Sequence, residues 1–192
     1  MKNQPIVFKI TSSLIKIFFI ISAALTTVFL IIFCLGAVSP DVTAMIFEGL
    51  GHQWNHKYFE IYFDRSAAAD DPLTLFLMQM SLSFIKIAAA AAVLFILMKI
   101  FKKLDSENYF DSANIKFIRL IGYTVIISSI LISFLANFYT KYLIDSINSV
   151  SIAASYSFSF EWEGVLAGLI ILCISVIYQK GSMLQQESDY TV

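Results

Sequence analysis

The sequence predicts an integral membrane protein of mainly α class. Four transmembrane helices form a bundle, and a small two-stranded extracytoplasmic β-sheet is contributed by the two outer loops. Three observations lead there. Four apolar runs, each able to cross a hydrocarbon core about 30 Å thick, take up nearly half the chain. Charged residues make up 14% of it, against roughly a quarter in a soluble domain, and they fall between the runs. Two of the intervening segments alternate apolar and polar residues at period two, the spacing of a half-buried strand. With 58% hydrophobic residues and a mean hydropathy of +0.77, the 192 residues read as one membrane domain.

The first run, 17–38, follows Lys2, Lys9 and Lys16. A secretory signal also begins with positive charge, but its apolar region ends by about 15 residues, so an uncleaved anchor is expected. The second, 73–101, opens after Pro72, a residue tolerated at a helix start, and closes on Lys99, Lys102 and Lys103. The third, 117–139, has Asp111 or Ser112 as N-cap for a helix that begins before the membrane. The fourth, Val165 to Tyr178, is the shortest. Trp162 and Tyr178 resemble interfacial anchors and extend it to about 163–179.

Orientation follows from lysine and arginine, which concentrate on the cytoplasmic side. The N-terminal tail carries lysines, and the segment joining spans two and three (inner loop 102–116 and its flanks) holds Lys99, Lys102, Lys103, Lys116 and Arg119. Loop 39–72 sets only Lys57 and Arg65 against six carboxylates, and loop 140–162 has Lys141 alone. Both termini are therefore expected in the cytoplasm, with tail 180–192 beside the inner loop.

In the outer loops, Ile152, Ala154, Tyr156, Phe158, Phe160 and Trp162 share one face of an extended segment, and Phe59, Ile61 and Phe63 do the same within Lys57 to Arg65. A lone strand leaves its backbone unpaired, so these two segments are expected to pair with each other. Asp41 to Leu50 reads as a short helix or an irregular lead-in, and Ser66 to Asp71 as a connector.

Glu48, His52, His56 and Glu60 stand four apart, which on one helix would make a stripe of metal ligands. Gly49 and Gly51 disfavour that helix, so His52 and His56 are weak metal candidates and a solvated loop is the plainer reading. Lys86 is the one full charge deep in an apolar run, about 20 Å from Lys99 along the helix, and Gln79, Ser83 and Ala90 share its face. An intramembrane charge is a functional candidate by default, while a lysine at this depth can also snorkel to the outer interface. Asn137 and Glu163 are its candidate partners. Ala88 to Ala92 and the Gly164-x-x-x-Gly168 spacing offer smooth surfaces for close helix contact, within the bundle or between protomers. Ser128, Ser129 and Ser133 are expected to bond to their own preceding turn. Cys34 and Cys173, both inside spans, read as small hydrophobes. No phosphate-binding glycine loop, no His-Glu-x-x-His and no paired intramembrane carboxylates occur, so neither an enzyme nor a coupled transporter is expected and no cofactor is implied. The net charge of −1 gives no ground for direct nucleic-acid binding.

Glu107-Asn108-Tyr109-Phe110-Asp111-Ser112-Ala113-Asn114-Ile115, followed by Ile118-Arg119-Leu120-Ile121-Gly122-Tyr123, resembles the inner-loop signature of a bacterial four-span membrane family, the domain of unknown function 2975 family. That family typically leads into its third helix with Pro-Phe-Ser-x-x-Asn. The tail from Lys180 to Val192 is similar to the family's ending: a glycine and a leucine, an acidic residue, then Thr-Val. Tyr109 stands where the family has proline, and Tyr190 where it has leucine. The resemblance implies fold and topology, since the family has no assigned activity. Its members are often encoded beside a small helix-turn-helix regulator, which implies a cytoplasmic transcription regulator as partner. Lys102, Lys103, Asn114, Arg119, Gly181, Leu184 and Glu187 are then the candidate docking residues. Basic inner loops also arise from topology alone, and Gly181 reads equally as the C-cap of the fourth helix. The function expected is regulatory or sensory, in the bacterial cytoplasmic membrane. The alternative is an oligomeric channel or small-molecule exporter with Lys86 and Gln79 along its path.

Overall fold

The computed structural model describes residues 6–39, 53–56, 59–62, 72–104, 112–148 and 158–190. Four helices account for nearly all of them: α1 (Ile6–Val38), α2 (Pro72–Leu104), α3 (Ser112–Asn148) and α4 (Trp162–Tyr190). Each contains one expected span and runs past it. α1 begins at Ile6 because Val7, Ile10 and Leu14 continue the apolar sequence without a breaker; the amide of Ser39 closes its last turn on the carbonyl of Leu35 at 3.0 Å. Pro72 opens α2, and Lys102 and Lys103 occupy its last turn, where positive charge suits the helix dipole. α3 starts at Ser112 as the Asp111–Ser112 pair predicts, and from Tyr123 to Asn148 it meets neither glycine nor proline. α4 carries Glu163 in its first turn, the favourable end for an acid.

The expected end of the fourth helix is corrected. α4 passes through Gly181 and continues to Tyr190. A helical glycine costs only about 1 kcal/mol, and Met183, Leu184, Gln185 and Glu187 are good helix formers that carry the helix on.

All four helices are long and apolar enough to cross a membrane, with mean hydropathies from 2.7 in α1 down to 1.7 in α4. Between 6% and 17% of each span is buried by the protein itself, so its apolar side chains point outward in bulk. In water that would be an exposed patch far beyond what a soluble protein carries. The chain is a multi-pass membrane protein whose helices meet lipid.

The sheet departs from expectation in its pairing. Gln53–His56 (β1) and Phe59–Tyr62 (β2) form an antiparallel hairpin, with Trp54 opposite Ile61 and Asn55 opposite Glu60. The second strand thus finds its partner within the same loop. Residues 158–161, the described part of the other alternating segment, carry no regular secondary structure. At Ser159 the N–H and C=O both bond to the side chain of Asn137, which takes up the backbone donor a strand pairing would use there. Residues 41–50, 66–71 and 151–157 lie outside the described residues.

Two compact units divide the chain. The first comprises 1–26, 86–131 and 161–192. Here Phe8 stacks on Phe101 at 5.2 Å and Phe19 on Phe95 at 5.7 Å, joining α1 to α2. Ile96 and Ile100 of α2 pack with Ile121 of α3 in a buried cluster edged by Phe117 and Ile171. The second unit comprises 27–85 and 132–160. Its fully buried Phe76 lies against Gly36, where a Cβ would fall 2.8 Å from the ring Cζ; Met80, Tyr139 and Ile144 are buried as well.

Candidate functional site

Hydroxyl-bearing residues inside the spans mostly satisfy themselves. Thr26 donates to the carbonyl of Ser22, Thr124 to Leu120, and Ser128 and Ser129 to Val125, at 2.8–3.1 Å. This is the local bonding expected of Ser128 and Ser129, and it removes a donor that lipid could not satisfy. Four arrangements stand out against that background.

The first is an open groove of about 360 Å³ between α1 and α2. Phe18, Ile21, Ser22 and Leu25 line it from α1, at the i, i+3, i+4, i+7 spacing of a single helix face. Lys86, Ile87, Ala90 and Leu94 line it from α2. Ser22 is buried and donates to the carbonyl of Ile87 at 3.4 Å, tying the two helices together. Small side chains at Ser22 and Ala90, between bulkier neighbours, leave the volume open. Lys86 is exposed at one end, and among the described residues no carboxylate lines the groove.

The second is the contact between α3 and α4. A Cβ on Gly168 would fall 2.9 Å from the carbonyl oxygen of Gly122, and one on Gly122 would fall 3.1 Å from that of Gly168. The backbones touch, and glycine is what lets them. Gly164 lies against Ser129 one turn away. The Gly164-x-x-x-Gly168 face is therefore spent inside the protomer. Towards the other end, Arg119 Nη2 donates to Gln179 Oε1 at 3.0 Å.

The third is a cationic end built on aromatic rings. Lys99 Nζ lies 4.4 Å from the Phe95 centroid and 5.9 Å from that of Phe117, and Lys103 Nζ is 5.8 Å from Phe117. The rings lend their negative faces to ammonium groups where the helix leaves its apolar stretch. Lys102, Lys116 and Lys180 are exposed. Asn114, by contrast, is 1% exposed, and both polar atoms of its amide lack a hydrogen-bond partner among the described residues.

The fourth lies in the second unit. Tyr139 donates its hydroxyl to Gln79 Oε1 at 2.7 Å. Asn137 Nδ2 donates to the carbonyls of Ser133 and Ser159, at 2.7 and 2.6 Å, while the Ser159 amide donates to Asn137 Oδ1 at 3.0 Å. Phe134, one turn before Asn137, meets Phe158 edge-on at 6.5 Å.

The expected residues thus separate. Lys86 belongs to the first unit, Gln79 and the half-buried Ser83 to the second. The Asn137 amide bonds to Ser133 and Ser159. Lys102, Lys103, Asn114, Arg119, Gly181, Leu184 and Glu187 all fall in the first unit. Of these, Lys102, Leu184 and Glu187 are exposed, while Asn114 is closed to any partner. The helical stripe through His52, His56 and Glu60 does not form: His56 ends β1, and Glu60 belongs to β2, opposite Asn55. His52 lies outside the described residues. Cys34 and Cys173 are free and exposed. Sequence reasoning missed Ser22 and Tyr139: Tyr139 was visible as a tyrosine at the end of a span, whereas nothing in the sequence set Ser22 apart from the other serines of α1.

A family model described as a protein of unknown function (DUF2975) matches residues 60–192, from β2 to the end of the chain; α1 and β1 precede the match. No curated protein and no solved structure matches.

Proposed function

The chain belongs to the DUF2975 family of proteins of unknown function, and from that premise we propose that it is a non-enzymatic regulatory or sensory membrane protein. It sits in the bacterial cytoplasmic membrane with both termini inside. Its cytoplasmic end holds a soluble regulator of the small helix-turn-helix class. The observation that carries this reading is the continuation of α4 past Lys180. Met183 and Leu184 are 57% and 66% exposed on an ordered helical extension, with exposed Glu187 one turn further on. A short helix bearing an apolar pair is a common form of recognition element, docked into a groove on its partner. Exposed Lys102, Lys116 and Lys180 in the same unit supply a basic surround that favours an acidic partner face. The hairpin of β1 and β2, in the loop expected outside, is the part placed to meet an envelope signal or lipid.

Co-purification tests it. A small helix-turn-helix regulator is expected to elute with the full chain from solubilised membranes, and to be lost when the chain ends at Gln179 or carries Leu184→Glu. Equal recovery with the shortened chain overturns the reading. The channel or exporter alternative has less support: the Gln79 carbonyl is engaged by Tyr139, and Lys86 opens onto an apolar groove. Unchanged flux through Lys86→Ala liposomes would dismiss it.

A further inference from the structure

We propose that the groove between α1 and α2 is a binding site for an anionic phospholipid, whose acyl chain lies along the groove and whose phosphate meets Lys86. The shape of the groove is that of an amphiphile. Its one charge, Lys86, stands at one end, and Leu94 lies two turns away, about 12 Å along α2. The antiparallel contacts of Ser22 with Ile87 and of Phe19 with Phe95 set Phe18 at the Leu94 end and Leu25 at the Lys86 end. Apart from Ser22 and Lys86, the lining is wholly apolar. The Ser22 hydroxyl is turned to the Ile87 carbonyl, so the lysine supplies the polar recognition.

Charge decides the occupant. Lys86 lies ten residues inside the second span, which begins at Phe76. An ammonium at that depth is costly unless an anion or water reaches it. Among the described residues no carboxylate lines the groove, and a lipid anion can supply the countercharge. The surroundings are lipid, and the anion lipid offers is a phosphate joined to an acyl chain. The flexible lysine stem lets the ammonium rise to meet that phosphate while the stem covers apolar surface. A zwitterionic lipid fills the groove equally well but brings a second cation beside the first. The site therefore prefers a net-negative headgroup.

The test is native mass spectrometry of the full-length chain released from detergent containing equal amounts of palmitoyl-oleoyl phosphatidylglycerol and phosphatidylcholine. Wild type is expected to retain phosphatidylglycerol preferentially. Lys86→Gln should lower that preference about five- to tenfold, Lys86→Arg should keep it, and Ala90→Phe should lower retention of both lipids by filling the groove. Circular dichroism identifies a misfolded variant, for which Lys86→Met is then substituted. The proposal is overturned if wild type retains both lipids equally, or if Lys86→Gln keeps the wild-type ratio. It is also overturned if Ala90→Phe converts a wild-type dimer to monomer with the retention of both lipids unchanged, since the groove would then hold a second copy of the chain.

Discussion

Asn137 grips the backbone of Ser159 from both sides: its Nδ2 donates to the Ser159 carbonyl at 2.6 Å, and its Oδ1 accepts from the Ser159 amide at 3.0 Å. A primary amide presents N–H donors beside a carbonyl acceptor in one plane, and so can meet a backbone N–H and C=O together, as a neighbouring strand would. Because Asn137 is 7% exposed, water cannot take its place. Asn137→Leu keeps the volume but strands two backbone groups, at a cost of about 1–3 kcal/mol. Unfolding in SDS titrations should shift accordingly, and a cysteine at Ser159 should label faster in the variant. Equal labelling would mean that the clamp does not hold the segment.

Gly168 is a demanding position in the contact between α3 and α4. An added Cβ would lie 2.5 Å from Ile126 Cγ1 and 2.9 Å from the Gly122 carbonyl, and a backbone atom cannot yield by rotating. Gly168→Ala should cost about 1–3 kcal/mol. Gly164→Ala should be penalised as well, because beyond the Ser129 hydroxyl it meets Ser129 Cβ at 2.8 Å, which no rotation moves. Thermal denaturation of both variants in detergent checks this; a harmless Gly168→Ala would mean that α3 and α4 stand further apart.

How far the sequence could be read depends on which interactions are local. Helix existence is local in this chain: Pro72, the Asp111–Ser112 start and the lysines at the end of α2 marked their boundaries, and apolar length marked the spans. Pairing is not local. The alternation from Ser151 to Trp162 is genuine, but whether a strand or Asn137 takes up the backbone at Ser159 depends on a residue 22 positions away. Gly164 and Gly168 announced close contact, while Gly122, which completes it, had no spacing to signal it. Lys86 was visible as a lone charge. The groove beside it comes from α1, where Ser22 is one of several unremarkable serines.

Tyr139 and Gln79 give a direct measure of a hydrogen bond between spans, at 2.7 Å and part-buried. Such bonds contribute about 0.6 kcal/mol on average in membrane proteins and reach about 1.7. A double-mutant cycle with Tyr139→Phe and Gln79→Leu should return a coupling in that range. Additive single effects would show that the pair is not joined in the folded protein.

Asn114 invites substitution in the opposite sense. Its amide is buried and lacks a hydrogen-bond partner among the described residues, an arrangement that costs about 1–3 kcal/mol. Asn114→Leu, similar in size and without polar atoms, should raise the thermal midpoint. If it lowers the midpoint, the amide is paired in the folded protein.

Gly181 offers a test whose sign alone decides between two local structures. As a C-cap it would adopt a left-handed conformation, and alanine there would be strained and destabilising. Inside α4, which continues to Tyr190, glycine is the unfavourable residue, because it loses more backbone freedom than alanine and offers no side chain to the helix. Gly181→Ala should therefore stabilise the extension by about 0.5–1 kcal/mol. The gain should appear as slower amide exchange from Gly181 to Glu187. If α4 instead ends at Gly181, the same substitution speeds exchange across those residues, and the ordered extension that presents Met183 and Leu184 is lost as a docking element.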